Sequence, residues 1–121
     1  MARIASIQPR KQRKFRYNAA IHIRGAFLHA TLADDLRKKY GKRSFRVVTG
    51  DTVKVLRGEF AGTEAVVDAV DTKHVKVLVH GVSVKKANCE DVPRPIDPSK
   101  VMITKLNLKD AKRAASLEVK E

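Results

Sequence analysis

The sequence has few of the residues that form disulfides, redox centres or aromatic cores. Its 121 residues include one cysteine, no tryptophan and 5% aromatic residues. A single cysteine, Cys89, cannot form an intramolecular disulfide, so we expect a reducing, cytoplasmic setting. No stretch approaches the roughly 18 consecutive apolar residues that a membrane span needs, and we expect no secretory signal because residues 1–6 lack an apolar core.

Acidic residues are scarce, above all in the first third of the chain. The whole sequence has 13 Asp and Glu against 26 Lys and Arg, which gives a formal net charge of +13 at pH 7. Residues 1–46 hold 13 of the cations and two acids, whereas residues 47–121 hold 13 cations and 11 acids. Such an imbalance indicates a polyanionic partner, nucleic acid first and an anionic membrane surface second.

The densest basic segment is residues 8–17, which contain five cations and no acid. Like charges at this density repel, so we predict that the free segment is extended and mobile. One interpretation is a solvated tail or a localisation signal. The other is RNA binding, in which the cations pair with phosphates while Phe15 and Tyr17 stack on unpaired bases.

Two helical patterns follow the basic segment of residues 8–17. Residues 18–25 favour a short helical turn, and residues 31–40 predict a clearer helix. Thr31 is placed to cap it, two aspartates lie in its first turn, and Gly41 suits the position after its end. A second basic cluster, residues 42–46, is predicted to be a loop that is free to meet phosphate.

From residue 47 the pattern changes to short β-rich segments separated by turn residues. Five strands are predicted, at residues 53–56, 65–70, 75–79, 82–84 and 101–106. Five short strands with tight turns predict a small antiparallel barrel. The proline-rich residues 93–98 indicate an irregular connection, and residues 107–121 predict a C-terminal helix with a thin apolar stripe of Leu108, Ala111 and Ala115.

Residues 50–67 contain the pattern Gly-Asp-x-Val-x-Val-x-x-Gly-x-x-x-Gly, followed by a valine-rich strand. This pattern resembles a KOW motif, in which Gly58 and Gly62 permit backbone conformations that a side chain would obstruct and Arg57 sits at the exposed rim. Four further segments extend the resemblance over nearly the whole chain: residues 8–15, 36–41, 82–88 and 101–108. The sequence is similar to the KOW-motif family of large-subunit ribosomal proteins, numbered twenty-four in bacteria and archaea and twenty-six in eukaryotes, in its archaeal or eukaryotic form.

This resemblance implies a fold, a function and partners. The implied fold is mainly β, a small SH3-like antiparallel barrel over residues 47–106. A basic N-terminal arm with a short helix at about 31–40 would precede it, and a short helix over 107–121 would follow. The implied function is that of a structural constituent of the large ribosomal subunit. It would bind large-subunit rRNA directly near the 5′ end, help to nucleate assembly and lie near the polypeptide exit tunnel. The implied partners are rRNA, neighbouring ribosomal proteins and factors at the exit tunnel, with no membrane, small-molecule substrate, cofactor or metal.

The candidate RNA-binding residues are cations and aromatics that the charge pattern and the resemblance select together. They are Arg10, Lys11, Arg13, Lys14, Phe15, Arg16, Tyr17, Lys42, Arg43, Arg57, Lys85 and Lys86. Arg3 and Arg24 are weaker candidates. For any single cation outside the arm, a solvated surface role is as common as an RNA contact.

Enzyme and other binding functions have less support. Residues 58–63 lack the Gly-Lys-Ser/Thr ending of a phosphate-binding loop, and the four histidines lack metal-ligand spacing. Cys89 would need a chance approach of a histidine to act as a nucleophile, so no catalytic residue is predicted. A KOW-type transcription-associated factor and a generic nucleic-acid-binding protein remain the alternatives. A membrane-surface role would need a stronger amphipathic helix than the sequence offers.

Overall fold

The computed structural model describes residues 4–118 and shows a β-rich fold with short helices. Two helices come first, α1 (Pro9–Asn18) and α2 (Ile21–Phe27), and α3 (Asp34–Tyr40) and α4 (Ala111–Leu117) follow. The strands are β1 (His29–Leu32), β2 (Ser44–Arg46), β3 (Thr52–Val55), β4 (Glu64–Asp71), β5 (Lys76–Val79), β6 (Ser83–Lys85), β7 (Asp91–Pro93) and β8 (Val101–Lys105). A 3-10 turn, Pro98–Lys100, precedes β8.

Six of these strands form one sheet in the order β2-β1-β8-β3-β4-β5, and β6 and β7 form a separate antiparallel ribbon. Neighbours in the six-stranded sheet are antiparallel except β1 and β8, which run parallel. The five predicted strands are confirmed as β3, β4, β5, β6 and β8. The predicted mainly β fold with short helices is confirmed. Within residues 4–118 the strand pairing does not close into a ring, and the sheet is mixed because β1 and β8 are parallel.

The sheet begins at His29, well before the boundary predicted at residue 47. Ala30 and Leu32 are buried on alternate positions of β1, a period of two that belongs to a strand. Thr31 therefore pairs with Met102 of β8 instead of capping a helix, and α3 begins later than predicted, at Asp34. The predicted end of this helix is confirmed, because Gly41 adopts a left-handed φ of 63°.

The core is built from branched aliphatic side chains that alternate along the strands. Val77 and Val79 are buried on one face of β5, as predicted from their spacing, whereas Val75 is buried but precedes the strand with a φ of 57°. Across the sheet, Val77 and Val79 meet the inward residues of β3, β4, β8 and β1. Each fully buried valine of this kind contributes about 1.5–3 kcal/mol, so the valine-rich segments account for much of the stability of the fold.

The C-terminal helix is shorter than predicted and packs differently. α4 ends at Leu117, within the described residues, and Asp110 caps its start by accepting a hydrogen bond from Lys112 N at 3.1 Å. The predicted apolar stripe is wrong, because Leu108 is 42% exposed whereas Leu117 is 1% exposed. The other buried residue of α4 is a charged one, Arg113.

Arg113 attaches α4 to the sheet through a buried ion pair with Asp51. Its two terminal nitrogens lie 2.7 Å from the two carboxylate oxygens of Asp51, which is 0% exposed. The same carboxylate accepts hydrogen bonds from Val48 N at 3.0 Å and Asn107 N at 2.8 Å. The aspartate of the KOW-like pattern thus has a structural role, because it joins the start of β3 to the C-terminal segment.

The glycines of the same pattern are required by backbone conformation. Gly50, Gly58 and Gly62 have φ values of 88°, 101° and 88°, a region that side chains disfavour. A Cβ at Gly50 would also lie 2.5 Å from the side-chain nitrogen of Asn107, whereas Gly58 and Gly62 have open space beside them. The predicted reason for Gly58 and Gly62 is therefore confirmed.

Candidate nucleic-acid interface

The most basic segment of the chain is a helix and not an extended arm. α1 spans Pro9–Asn18 with proline at its start, where the missing N–H costs no hydrogen bond. The ring of Phe15 meets the ring of Phe27 edge to face, at a centroid distance of 6.3 Å. Arg16 lies over the same Phe27 ring at 5.1 Å. The prediction of an extended segment is wrong for these residues, because charge counting took no account of these contacts with α2.

The helical spacing of α1 places several of its candidate residues on one side. Four candidate residues follow the i, i+3, i+4, i+7 pattern, which places them on one side of a helix: Arg10, Arg13, Lys14 and Tyr17. All four are exposed, and Tyr17 exposes 64% of its surface. Phe15 is half-buried against Phe27, so Tyr17 is the aromatic residue of α1 with a ring available for stacking on a base.

Arg24 of α2 joins α1 to the sheet. Its guanidinium donates to the carbonyl oxygens of Ala19 at 2.9 Å and Lys73 at 2.8 Å, and to that of Tyr17. Lys73 lies in the turn between β4 and β5, whereas Tyr17 and Ala19 lie at the end of α1. Arg24, a weaker candidate for phosphate contact, has its guanidinium engaged with backbone carbonyls within the protein.

The second basic cluster includes strand β2 instead of forming the predicted loop. Lys42 donates to the carbonyl of Ser116 in α4 and lies 5.6 Å from the centre of the Phe45 ring. Arg113 lies 5.3 Å from the centre of the same ring. Arg43 is exposed. The structure thus gives Lys42 a partner within the protein and leaves the Arg43 side chain open to solvent.

Arg57 lines a groove of about 130 Å³ with three cations that the sequence analysis missed: Lys76, Arg94 and Lys100. Two of the three are in ion pairs, Arg94 with Glu59 at 2.7 Å and Lys76 with Asp97 at 3.3 Å. Their positions on separate strands and turns gave no local signal in the sequence. Only the fold gathers them around Arg57.

Asp97 lies at this groove and also at a second cavity, of about 380 Å³, together with Arg16, Phe27 and His29. Burial raises the pKa of Asp97, but hydrogen bonds from Ser99 and the nearby Lys76 outweigh it and hold the pKa below its ordinary value. Burial, with a smaller effect of nearby Arg46, lowers the pKa of His29. This lowered pKa favours the neutral form of the His29 imidazole.

Lys85 and Lys86 lie on the ribbon of β6 and β7. Lys85 ends β6 opposite Asp91. The backbone of Lys86 closes the turn, because its carbonyl accepts a hydrogen bond from Cys89 N and its N–H donates to the carbonyl of Glu90. Both lysine side chains are exposed. Cys89 is exposed in this turn with a φ of 66°, and it has no histidine among its hydrogen-bond partners in the described residues.

Two further histidines form local pairs with aspartates. His74 lies 2.7 Å from Asp71, and this hydrogen bond lowers the pKa of Asp71. His80 lies 3.2 Å from Asp68. Between residues 4 and 118 there is no cluster of three or more metal-ligating side chains. The same part of the chain contains no helix that is long and apolar enough to cross a membrane.

The ten candidate cations share one electrostatic property. Within residues 4–118, none of them forms an ion pair with an acidic side chain, whereas Arg37, Lys76, Arg94 and Arg113 do. A cation without an acidic partner keeps its full charge for an incoming phosphate. Arg3 lies outside the described residues.

Within residues 4–118, a β-rich scaffold carries a helix whose cations have no acidic partner, an arrangement typical of nucleic-acid-binding proteins. Comparison with known proteins gives the family. The model of the family described as ribosomal proteins L26 (eukaryotic) and L24 (archaeal) matches residues 6–120. The chain therefore belongs to this family, which consists of ribosomal proteins and not of enzymes.

Individual relatives are similar over almost their full length. The large ribosomal subunit protein uL24 of Methanocorpusculum labreanum is 81% identical over 120 residues, which is 99% of each chain. The protein of the same name from Methanoculleus marisnigri is 64% identical over 97% of each chain. That of Korarchaeum cryptofilum is 49% identical over 97% of this chain and 89% of its own. The predicted family resemblance is confirmed.

Proposed function

We propose that the chain is a structural constituent of the large ribosomal subunit and binds large-subunit rRNA directly, near its 5′ end. The observation that supports this function is α1, whose five cations are exposed and have no acidic partner within residues 4–118. Family membership supports the ribosomal context. The named relatives are large ribosomal subunit proteins.

The mechanism is scaffolding through charge and shape. Cations of α1, together with Arg43, Arg57, Lys85 and Lys86, replace the counterions condensed around rRNA phosphates. Selectivity comes from RNA shape and from the ring of Tyr17, which can stack on a splayed base.

The same proposal places the protein in assembly and in the mature particle. An RNA-binding protein that holds several phosphates at once stabilises a folded RNA region, which suits an early role in subunit assembly. The family resemblance supports a position near the polypeptide exit tunnel, with neighbouring ribosomal proteins and tunnel-exit factors as further partners.

Salt-dependent binding tests this function. The full chain is compared with a variant in which the five α1 cations are replaced by glutamine: Arg10, Lys11, Arg13, Lys14 and Arg16. The ligands are a folded 5′ fragment of large-subunit rRNA and a scrambled RNA of equal length. We expect the variant to bind the native fragment more weakly. We also expect its log–log salt slope to be flatter by about 0.7–0.9 for each phosphate that the variant no longer neutralises.

A matched control separates interface charge from total charge. It carries glutamine at five exposed lysines that have no proposed RNA role: Lys54, Lys73, Lys105, Lys109 and Lys112. We expect this control to keep most of the salt slope and the preference for the native fragment. Equal binding of the full chain to both RNAs would contradict site-specific rRNA binding and favour a generic nucleic-acid-binding protein.

A further inference from the structure

We propose that Arg24 is a positioning residue, which holds α1 folded and attached to the sheet so that it meets RNA as a preformed helix. The exposed row of Arg10, Arg13, Lys14 and Tyr17 is then presented to RNA on one side of this helix. This inference rests on the proposed rRNA-binding function, and it assigns to Arg24 a role other than phosphate contact.

The position of Arg24 at the end of α1 is the first argument. The last carbonyl groups of a helix lack partners within the helix, and a cation there also interacts favourably with the helix dipole. Arg24 supplies both the hydrogen-bond donors and the positive charge, because its guanidinium donates to the carbonyls of Tyr17 and Ala19. Arginine suits this task because its planar group presents several donors in fixed directions.

Arg24 also contacts the turn between β4 and β5, which is held by hydrogen bonds of its own. Arg24 Nη1 donates to the carbonyl of Lys73 at 2.8 Å. That turn is itself fixed by Asp71, whose Oδ1 accepts hydrogen bonds from Lys73 N at 2.9 Å and His74 N at 3.2 Å. Arg24 therefore links α1 to the β4–β5 hairpin of the main sheet.

α1 needs such support because its own sequence favours a helix weakly. It has ten residues, no side-chain cap at Gln8, no acid in its first turn and no buried residue. Helices of this length are marginal in water, and neighbouring cations repel one another along it. Besides the contacts of Phe15 and Arg16 with Phe27, the hydrogen bonds of Arg24 attach α1 to the rest of the protein.

A preformed helix has a defined consequence for binding. The ordering of α1 takes place when the protein folds, so RNA binding does not have to order it again. The row of Arg10, Arg13, Lys14 and Tyr17 then reaches the RNA in a fixed arrangement. Loss of Arg24 should weaken binding without changing the number of phosphates that the complex finally neutralises.

Substitution of Arg24 by lysine and by glutamine tests this role in the full chain. We expect both R24K and R24Q to bind the 5′ rRNA fragment about tenfold more weakly at fixed salt, with the wild-type salt slope. Lysine keeps the charge but cannot reproduce the three carbonyl contacts, so R24K should recover little. A direct phosphate contact predicts the opposite pattern, in which R24K binds like wild type and the slope of R24Q falls by about 0.7–0.9.

Amide hydrogen exchange on the free protein provides the second readout. We expect R24Q to lose protection in α1 while β4 and β5 keep theirs, and we expect the exposed control Lys54→Gln to change neither. Unchanged α1 protection in R24Q would overturn the inference, as would a uniform loss of protection across the sheet. Because no RNA is present, this readout does not depend on the proposed function. Failure of the proposed function would show in the binding experiment, in which the wild-type protein would have no preference for the native fragment.

Discussion

At the scale of single residues, the pair of Asp51 and Arg113 shows how a motif position can have a structural purpose. Asp51 is 0% exposed and Arg113 is 9% exposed, so both charges are removed from water. The cost is offset because the carboxylate accepts four hydrogen bonds and Arg113 also donates to the carbonyls of Arg46 and Asn107. The pair thereby joins α4 to the segment that leads into β3.

Substitution of Asp51 by asparagine should be strongly destabilising. The substitution leaves the buried guanidinium of Arg113 without an opposite charge, which typically costs about 3–5 kcal/mol. We expect the free energy of unfolding, measured by urea denaturation, to fall by that amount. Arg94→Gln is the matched control, because it breaks an exposed ion pair with Glu59 worth about 0–1 kcal/mol. Similar losses in the two variants would contradict a structural role for the buried pair.

At the scale of elements, the turn before β8 depends on a single carboxylate. Asp97 caps the 3-10 turn by accepting hydrogen bonds from Ser99 N at 3.0 Å and Ser99 Oγ at 2.8 Å. Its other oxygen lies 3.3 Å from Lys76 Nζ in β5. Asp97 thereby fixes the start of β8 and links it to β5, across the groove that contains Arg57.

This arrangement predicts a dependence of stability on pH. Because the pKa of Asp97 is lower in the folded state, its contribution is present above the unfolded pKa of about 3.9 and is lost as the pH falls through the folded pKa. Asp97→Asn can still cap but cannot titrate. We expect the difference in unfolding free energy between wild type and this variant to shrink from about pH 5 to about pH 2. A constant difference over this range, measured by urea denaturation, would contradict the assignment.

At the scale of the whole molecule, the first third of the chain is part of the β-rich fold. β1 lies between β2 and β8, and its parallel pairing with β8 brings Thr31 beside Met102, far along the sequence. Leu28, Ala30 and Leu32 from this segment are buried in the structure. From His29 onward, the first third of the chain is therefore part of the same sheet as the later strands, and α1 is not one of its strands.

Two truncations test this arrangement. A fragment of residues 47–121 lacks β1 and β2, which exposes the edge of β8 and the core beside it, so we expect no cooperative thermal unfolding. A fragment of residues 19–121 lacks only α1 and the residues before it, and should unfold cooperatively. Circular dichroism against temperature gives both results. Cooperative unfolding of residues 47–121 would show that the fold does not need β1.

Prediction from the sequence succeeded where local pattern and backbone chemistry determine structure. The valine-rich segments gave five strands, Gly41 gave the end of α3, and Gly58 and Gly62 gave turns that need positive φ. It failed where contacts between residues that are far apart in the sequence determine the structure. The end of β1 was assigned to a helix because Thr31 and the aspartates after it suit a helix start, and the pairing of β1 with both β2 and β8 makes residues 29–32 a strand.

By itself, the sequence determined the charge of the molecule, the core strands other than β1 and the family to which it belongs, because these depend on composition and on local spacing. Only the tertiary structure decided which charges are free. It placed Arg113 on Asp51 and Arg24 on three backbone carbonyls, and it gathered Lys76, Arg94 and Lys100 around Arg57. The physical reason is that the availability of a cation depends on its neighbours in space, and those neighbours lie far apart along the chain.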